Sequence, residues 1–336
     1  MKNITKVGLS ALAGALAFTS ANAGDVSITG TMQTSYTQKG GYSTTGNPLG
    51  MNKELTVAAS GELDNGVGVA YKQTITNAMG YNDSELVFTG VPMLGDATLA
   101  MTSAGAPISA IDDVTPIAFE EASAAVGSLK DVNGADGTYG IRYTLADAFG
   151  SGMTVDAFYT PLAGSGDASA EKGVSGVSGS AEEAWEVVLK GSVPGVDGLD
   201  VGVGYATTEH HNDTTATADS QDVHEATAYV NYAFGALKVG AQKGAVNTEG
   251  TGETNYENDY LGISYAVSDN LSVSYNTIDS RESKEGSDVE QDFDSVSLSY
   301  TSGGMTIGIL DADCGNCSYS ANRDQSARAI QMTIAF

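Results

Sequence analysis

From Gly24 to Phe336 hydrophobic and small polar residues change places at every second position. Val26-Ser27-Ile28-Thr29 opens the pattern, and Met32, Thr34 and Tyr36 extend it. A period of two sends successive side chains to opposite faces of an extended chain, so the pattern predicts strands. It returns at Leu55-Val57-Ala59, Val67-Val69-Tyr71, Leu86-Phe88, Leu99-Met101 and Tyr139-Ile141-Tyr143-Leu145. Val155-Ala157-Tyr159, Trp185-Val187-Leu189, Leu199-Val201-Val203-Tyr205, Ala228-Val230-Tyr232-Phe234 and Leu237-Val239-Ala241 continue it. Leu261-Ile263-Tyr265, Leu271-Val273-Tyr275, Val296-Leu298-Tyr300, Met305-Ile307-Ile309 and Ile330-Met332-Ile334-Phe336 complete a set of about 16 strands.

The connections sort by length. Short ones carry turn residues: Asp64-Asn65-Gly66, Pro92 to Gly95, Phe149-Gly150, Pro194-Gly195, Phe234-Gly235, Ser268-Asp269-Asn270 and Ser302-Gly303-Gly304. Between them fall long polar stretches such as Gly164 to Ser180, Thr208 to Asp222 and Ser280 to Gln291. Strict short–long alternation suits a barrel threaded through a membrane, with short turns on one side and longer loops on the other. Tyr36, Tyr205, Tyr232, Tyr265 and Tyr300 sit near strand ends, where an amphipathic ring suits the headgroup zone. The fold class expected is all-β: a transmembrane antiparallel barrel formed by residues 24–336 as a single unit, since closure pairs the first strand with the last.

The first 23 residues follow another pattern. Lys2 and Lys6 precede an apolar run from Val7 to Phe18, and Ala21-Asn22-Ala23 supplies small residues where a signal peptidase reads. The run is short for a span, so residues 1–23 are expected to be a cleaved secretory signal peptide.

Composition narrows the function. With 42 acidic and 15 basic side chains the net charge is -27, and nothing in such a chain would neutralise phosphates, so nucleic acid is excluded as a partner. A mean hydropathy of -0.11 excludes a bundle of membrane-spanning helices but not a barrel, whose polar and apolar faces average out. Two cysteines cannot build a disulfide scaffold.

The chain resembles the Gram-negative porins, most closely those of α-proteobacteria. The resemblance is specific at "AIQMTIAF", where Ile330, Met332, Ile334 and Phe336 look like the signal read by the outer-membrane assembly machinery, and at "GDVSITGTMQTSY", which looks like a first porin strand. It implies an outer-membrane homotrimer in lipid, passing small hydrophilic solutes, with a third external loop folded inward as a constriction. Here the longest connection, about Ser103 to Asp136, lies between the fifth and sixth strands. It carries Asp112, Asp113, Glu120, Glu121 and Asp131 against Lys130 alone, together with Ile108, Ile111, Val114, Ile117 and Phe119. Two arrangements are open: an external loop with a helical turn at Phe119 to Val126, or an inward fold that packs the apolar residues on the barrel wall.

Strand parity assigns Lys72, Arg142, Lys190 and Lys238 to the lumen, with Glu54, Asp156, Glu186 and Glu225. A charge facing lipid near the midplane would cost about 2–4 kcal/mol, so inward placement is the default. A base cluster facing an acidic loop would set a transverse field, as in the family. The excess of acids predicts cation preference.

Cys314 and Cys317 suit a local disulfide in an oxidising compartment; a metal site would need two further ligands, and a redox motif a βαβ context that is absent. Asp311-Ala312-Asp313 beside Asn316 would suit Ca²⁺ at the rim on electrostatic grounds, and no cofactor is otherwise expected. His210, His211 and His224 lack any motif context, so no catalytic activity is expected; a dyad would need an acid beside His224. Gly202-Val203-Gly204 lacks the following helix of a dinucleotide loop. The rival reading is a non-channel barrel acting as an adhesin or surface link.

Overall fold

The computed structural model describes residues 26–76, 80–103, 105–163, 181–210, 222–249 and 253–336. The expected leader at 1–23, the loop at 164–180 and residues 211–221 of the next loop lie outside them. Sixteen strands follow one another: β1 (Val26–Gly41), β2 (Leu49–Glu62), β3 (Gly68–Thr76), β4 (Gly80–Thr89), β5 (Thr98–Thr102), β6 (Gly140–Leu145), β7 (Met153–Thr160) and β8 (Ala181–Ser192). Then come β9 (Leu199–His210), β10 (Val223–Phe234), β11 (Leu237–Thr248), β12 (Thr254–Ser268), β13 (Leu271–Lys284), β14 (Ser287–Ser302), β15 (Met305–Gly315) and β16 (Gln325–Ala335). Each strand pairs antiparallel with its sequence neighbours, and β1 closes on β16 from Thr31–Ala335 to Gly41–Gln325. Closure leaves no open edge, which is the condition for a sheet to stand in lipid.

One face of each strand is apolar and exposed to the outside. Leu261, Ile263 and Tyr265 on β12, Val296 and Tyr300 on β14, and Ile309 and Ile330 on β15 and β16 all point outward. The opposite face is buried where a loop fills the lumen: Asn258 and Tyr260 on β12, Asn276 and Ile278 on β13, Gln291 and Phe293 on β14. The strands β5 and β6, of 5 and 6 residues, are the lowest part of the wall. The long connection between them turns into the barrel there.

Two expectations are corrected. The stretch Ser280 to Gln291 is not a loop: β13 and β14 stay paired through Lys284–Ser287 and turn at Glu285-Gly286, where Gly286 takes φ +79°. The strict alternation of short and long connections fails at this hairpin. The apolar alternation stops after Tyr275 because the strands continue above the apolar band, where outward residues become polar.

The same extension overturns the rule that charges face inward. Lys243 meets Asp259 at 3.0 Å, Arg281 meets Glu257 at 2.9 Å and Arg328 meets Asp311 at 3.0 Å, all on the outer face. Water and headgroups reach them there, so the penalty for charge in hydrocarbon does not arise.

Candidate functional site

The chain between β5 and β6 lies inside the barrel, against the wall formed by β8 to β15. It has no strand partner for its backbone, and buried backbone N–H and C=O groups need partners. The wall supplies them from side chains. Glu186 on β8 accepts the Ile108 N–H at 3.1 Å through one carboxylate oxygen and the Ala135 N–H at 2.7 Å through the other. One carboxylate thus ties the entering and the leaving arm together. Glu225 on β10 accepts the N–H groups of Asn133 and Gly134 beside it.

Farther in, amides and hydroxyls take over. Gln242 on β11 accepts the Val114 N–H at 2.9 Å and donates to the Ile111 carbonyl at 2.9 Å; Asn231 on β10 donates to the Val114 carbonyl at 2.7 Å. Ser274 and Asn276 on β13 accept from Ala118 and Ala122, and Ser297 on β14 accepts from Phe119. Asn258 on β12 and Gln291 on β14 donate to the carbonyls of Lys130 and Ser128.

Charge on the lumen face, read from strand parity, does not reveal this seat. The available signal was uncharged: Asn, Gln and Ser at inward positions, with inward glycines on the same wall at Gly240, Gly262 and Gly308. At Gly262 a Cβ would fall 2.9 Å from the Pro116 carbonyl oxygen, and at Gly308 it would enter the Phe119 ring. Bare backbone at those points lets the loop lie flat on the wall.

The apolar residues of the loop form a small core with the wall. Ile108, Ile111 and Val132 pack with Val188, Ala206, Tyr229 and Val246. Ala122 and Val126, with Phe119 and Leu129, pack with Tyr260, Ile278, Phe293 and Leu310. The segment Phe119 to Val126 holds turns rather than a helix, and the regular helical piece is one 3-10 turn at Ser109–Ile111.

This packing half-buries the acids. Burial pushes Asp113 from 3.8 up to about 7, and the neighbouring Asp112 charge adds to the rise. Burial also raises Asp112 to about 6, against a hydrogen bond with Asp113 that lowers it. Asp131, bonded by the Tyr260 hydroxyl, is raised to about 6 by its burial. Glu120 and Glu121 are pushed up as well, first by burial. Asp112 and Asp113, and Asp113 and Glu121, are close enough for the charge and protonation of one to act on the other, so the three titrate as a group.

The four bases share the inward face but do not gather. Lys72 lies opposite Glu85 of β4 in the sheet register. Arg142 is held by Asp156 at 3.1 Å. Lys190 and Lys238 stand close to the short-turn ends of β8 and β11. A compact base cluster facing the acids, the arrangement expected for a transverse field, is not assembled from these residues.

At the closure, Ile330, Met332 and Ile334 point outward, and the Phe336 and Gly30 backbones exchange two hydrogen bonds of 2.8 and 3.0 Å. Cys314 and Cys317 form a disulfide. Asp311 is engaged by Arg328, and Asn316 bonds the Glu290 carbonyl. Among the described residues no three acidic, His or Cys side chains converge as a metal ion would need. His224 does meet an acid, Glu249, at 3.3 Å, but its other ring nitrogen is shared between the Tyr205 and Thr207 hydroxyls on the outer wall.

A family model described as Gram-negative porin matches residues 8–307. No curated protein sequence matches the chain. Among solved structures, in-vitro folded OmpT, an outer membrane protein of Vibrio cholerae, superposes with a TM-score of 0.65 at 12% identity, over 95% of this chain and 99% of that one. A mutant of the Rh. blastica porin gives 0.59 at 14%, over 93% and 100%. Salmonella typhi OmpF in complex with daunomycin gives 0.62 at 11%, over 94% and 98%.

Proposed function

Because this chain belongs to the Gram-negative porin family, and so forms a water-filled channel across the outer membrane, we propose that it passes small hydrophilic solutes by diffusion and prefers cations. The observation that carries the preference is the imbalance at the inward loop. Asp112, Asp113, Glu120 and Glu121 stand on the loop with no ion pair among the described residues, whereas Arg142 is already matched by Asp156. A low-dielectric seat strengthens the field of an unmatched carboxylate, and that field raises the local concentration of cations. No chemical step belongs to this reading; width and charge do the selecting.

The functional unit we propose is a homotrimer. One of the similar structures is a trimer form of Vibrio cholerae OmpT. On this chain the outward residues of β1 and β2 include the well-exposed Ile28 toward one end and Leu49 and Met51 toward the other, with Lys53 between them, a face suited to a partner barrel or to lipid. Residues 1–23 are proposed to be cleaved on export, and Ile330, Met332, Ile334 and Phe336 to be what the assembly machinery reads in outer-membrane lipid.

Planar-bilayer recording tests the channel and its sign together. Stepwise openings are expected, with a reversal potential in a potassium chloride gradient that reports potassium as the more permeant ion. A reversal potential of the opposite sign would remove the cation preference, and a silent bilayer would favour the adhesin reading.

A further inference from the structure

The neck at Glu186 holds both arms of the constriction loop where they enter the barrel. The stretch from Val126 to Asp131 is gripped a second time, from above, by the turn between β15 and β16. Cys314 is the last residue but one of β15, and the disulfide to Cys317 closes the turn that follows, with Cα atoms 5.6 Å apart. Asn316, Ser318, Tyr319 and Asn322 then all take positive φ, between 48° and 63°. Asn tolerates that region; Ser and Tyr adopt it only when the surroundings impose it. The imposing contacts lead to the loop. The Tyr319 hydroxyl accepts the Lys130 N–H at 3.2 Å and bonds Ser280 of β13 at 2.8 Å, while the ring leans on Tyr256 at 5.2 Å. Ser128 bonds Ser318 at 3.1 Å. Gly127 passes directly under the sulfurs: with φ +64°, a Cβ there would lie 3.1 Å from the Cys314 sulfur and from the Phe293 ring.

We propose that the disulfide-closed turn Cys314–Tyr319 is a latch that positions the returning arm of the constriction loop, so that the width and steadiness of the aperture depend on the oxidation state of this cysteine pair. The inference rests on the channel reading above. Opening the latch is a two-electron reduction: a dithiol gives up two electrons and two protons, the S–S bond breaks, thiols form at 314 and 317, and the dithiol closes to its own disulfide. Both sulfurs are buried, so reduction requires the turn to lift first.

The test uses the full-length protein in planar bilayers, as wild type, as wild type after dithiothreitol, and as the variants Cys314→Ser/Cys317→Ser and Tyr319→Phe. Heat-modifiable migration reports that the barrel itself is assembled. The serine variant and the reduced wild type are expected to keep stepwise openings but to show open-channel current variance raised at least about twofold, with a larger cut-off for uncharged sugars. Tyr319→Phe should move both in the same direction by less. Unchanged variance and cut-off in an assembled serine variant would overturn the latch. Should that variant not assemble, unchanged recordings from Tyr319→Phe and from reduced wild type would do the same. If wild type itself is silent, the channel reading has failed, and proteolysis at Lys130 still decides the latch: cleavage must speed up on reduction.

Discussion

Glu186 is buried between the inner face of β8 and the loop, yet it is placed to accept two backbone N–H groups rather than to pair with a base. A carboxylate has lone pairs to spare, and two charge-assisted bonds from opposite arms of a loop are a better use of them than one exposed ion pair. Glu186→Ala would leave both N–H groups buried without a partner, at about 1–3 kcal/mol each. The barrel pairs elsewhere, so the loss should fall on the loop: faster tryptic cleavage at Lys130 and a larger sugar cut-off, with heat-modifiable migration unchanged. Glu186→Gln should fall between, because one amide oxygen still accepts while the NH₂ group faces the other donor. Equal cleavage rates in wild type and Glu186→Ala would show that the neck holds nothing. Gly134 belongs to the same joint, with φ +55° and the Glu186 carboxylate where a Cβ would stand, so Gly134→Ala is expected to copy Glu186→Ala.

At the scale of the elements, what the amino-acid pattern revealed depended on which face a residue occupies. Every strand was visible through its outward apolar residues, since lipid demands them at alternate positions over a fixed height. Where β13 and β14 rise past that height, Asp279, Arg281, Glu290 and Asp292 replace Tyr275 and Val296 on the same outward face, and the period-two signal vanishes although the ladder continues. That is why a paired hairpin read as a loop. The inward loop was visible through Ile108, Ile111 and Phe119, which have no use outside. Its seat was not, because Gln242, Asn258 and Asn276 follow from the path of the loop backbone, which no local pattern encodes. The change of face gives a sharp contrast between neighbours on one wall. Leu261→Arg puts a charge in the apolar band and should destabilise the refolded barrel by about 2–4 kcal/mol, whereas Asp279→Arg, above the band, should stay within about 0.5 kcal/mol of wild type. Guanidinium titration in lipid vesicles reads both. Similar losses for the two would place the lipid boundary higher than these strands imply.

For the molecule as a whole the carboxylates of the constriction couple two properties that move in opposite directions with pH. Asp113 at about 7, with Asp112 and Asp131 at about 6, holds its proton more tightly in the folded loop than the ordinary value of 3.8 in an unfolded chain. The folded state therefore binds more protons than the unfolded one between about 4 and 7, and linkage then makes the packed loop more stable as pH falls through that window, with no further gain below it. Charge runs the other way. Above about 7 the acids are ionised and the aperture favours cations; each proton taken up on the way down removes part of that field. The cation-to-anion permeability ratio should thus decline with a midpoint near 6 to 7, far above the region where exposed carboxylates titrate, while open-channel variance falls over the same range as the loop tightens. Asp113→Asn removes the upper part of the transition, and Asp112→Asn/Asp113→Asn should leave a ratio that is lower at pH 8 and nearly flat down to pH 5. Reversal potentials recorded at each pH measure the first quantity and current variance in the same traces the second. A ratio that holds steady from pH 8 to 5 in wild type would mean that these buried acids do not face the permeating ions, and selectivity would then have to come from exposed charges at the pore mouths.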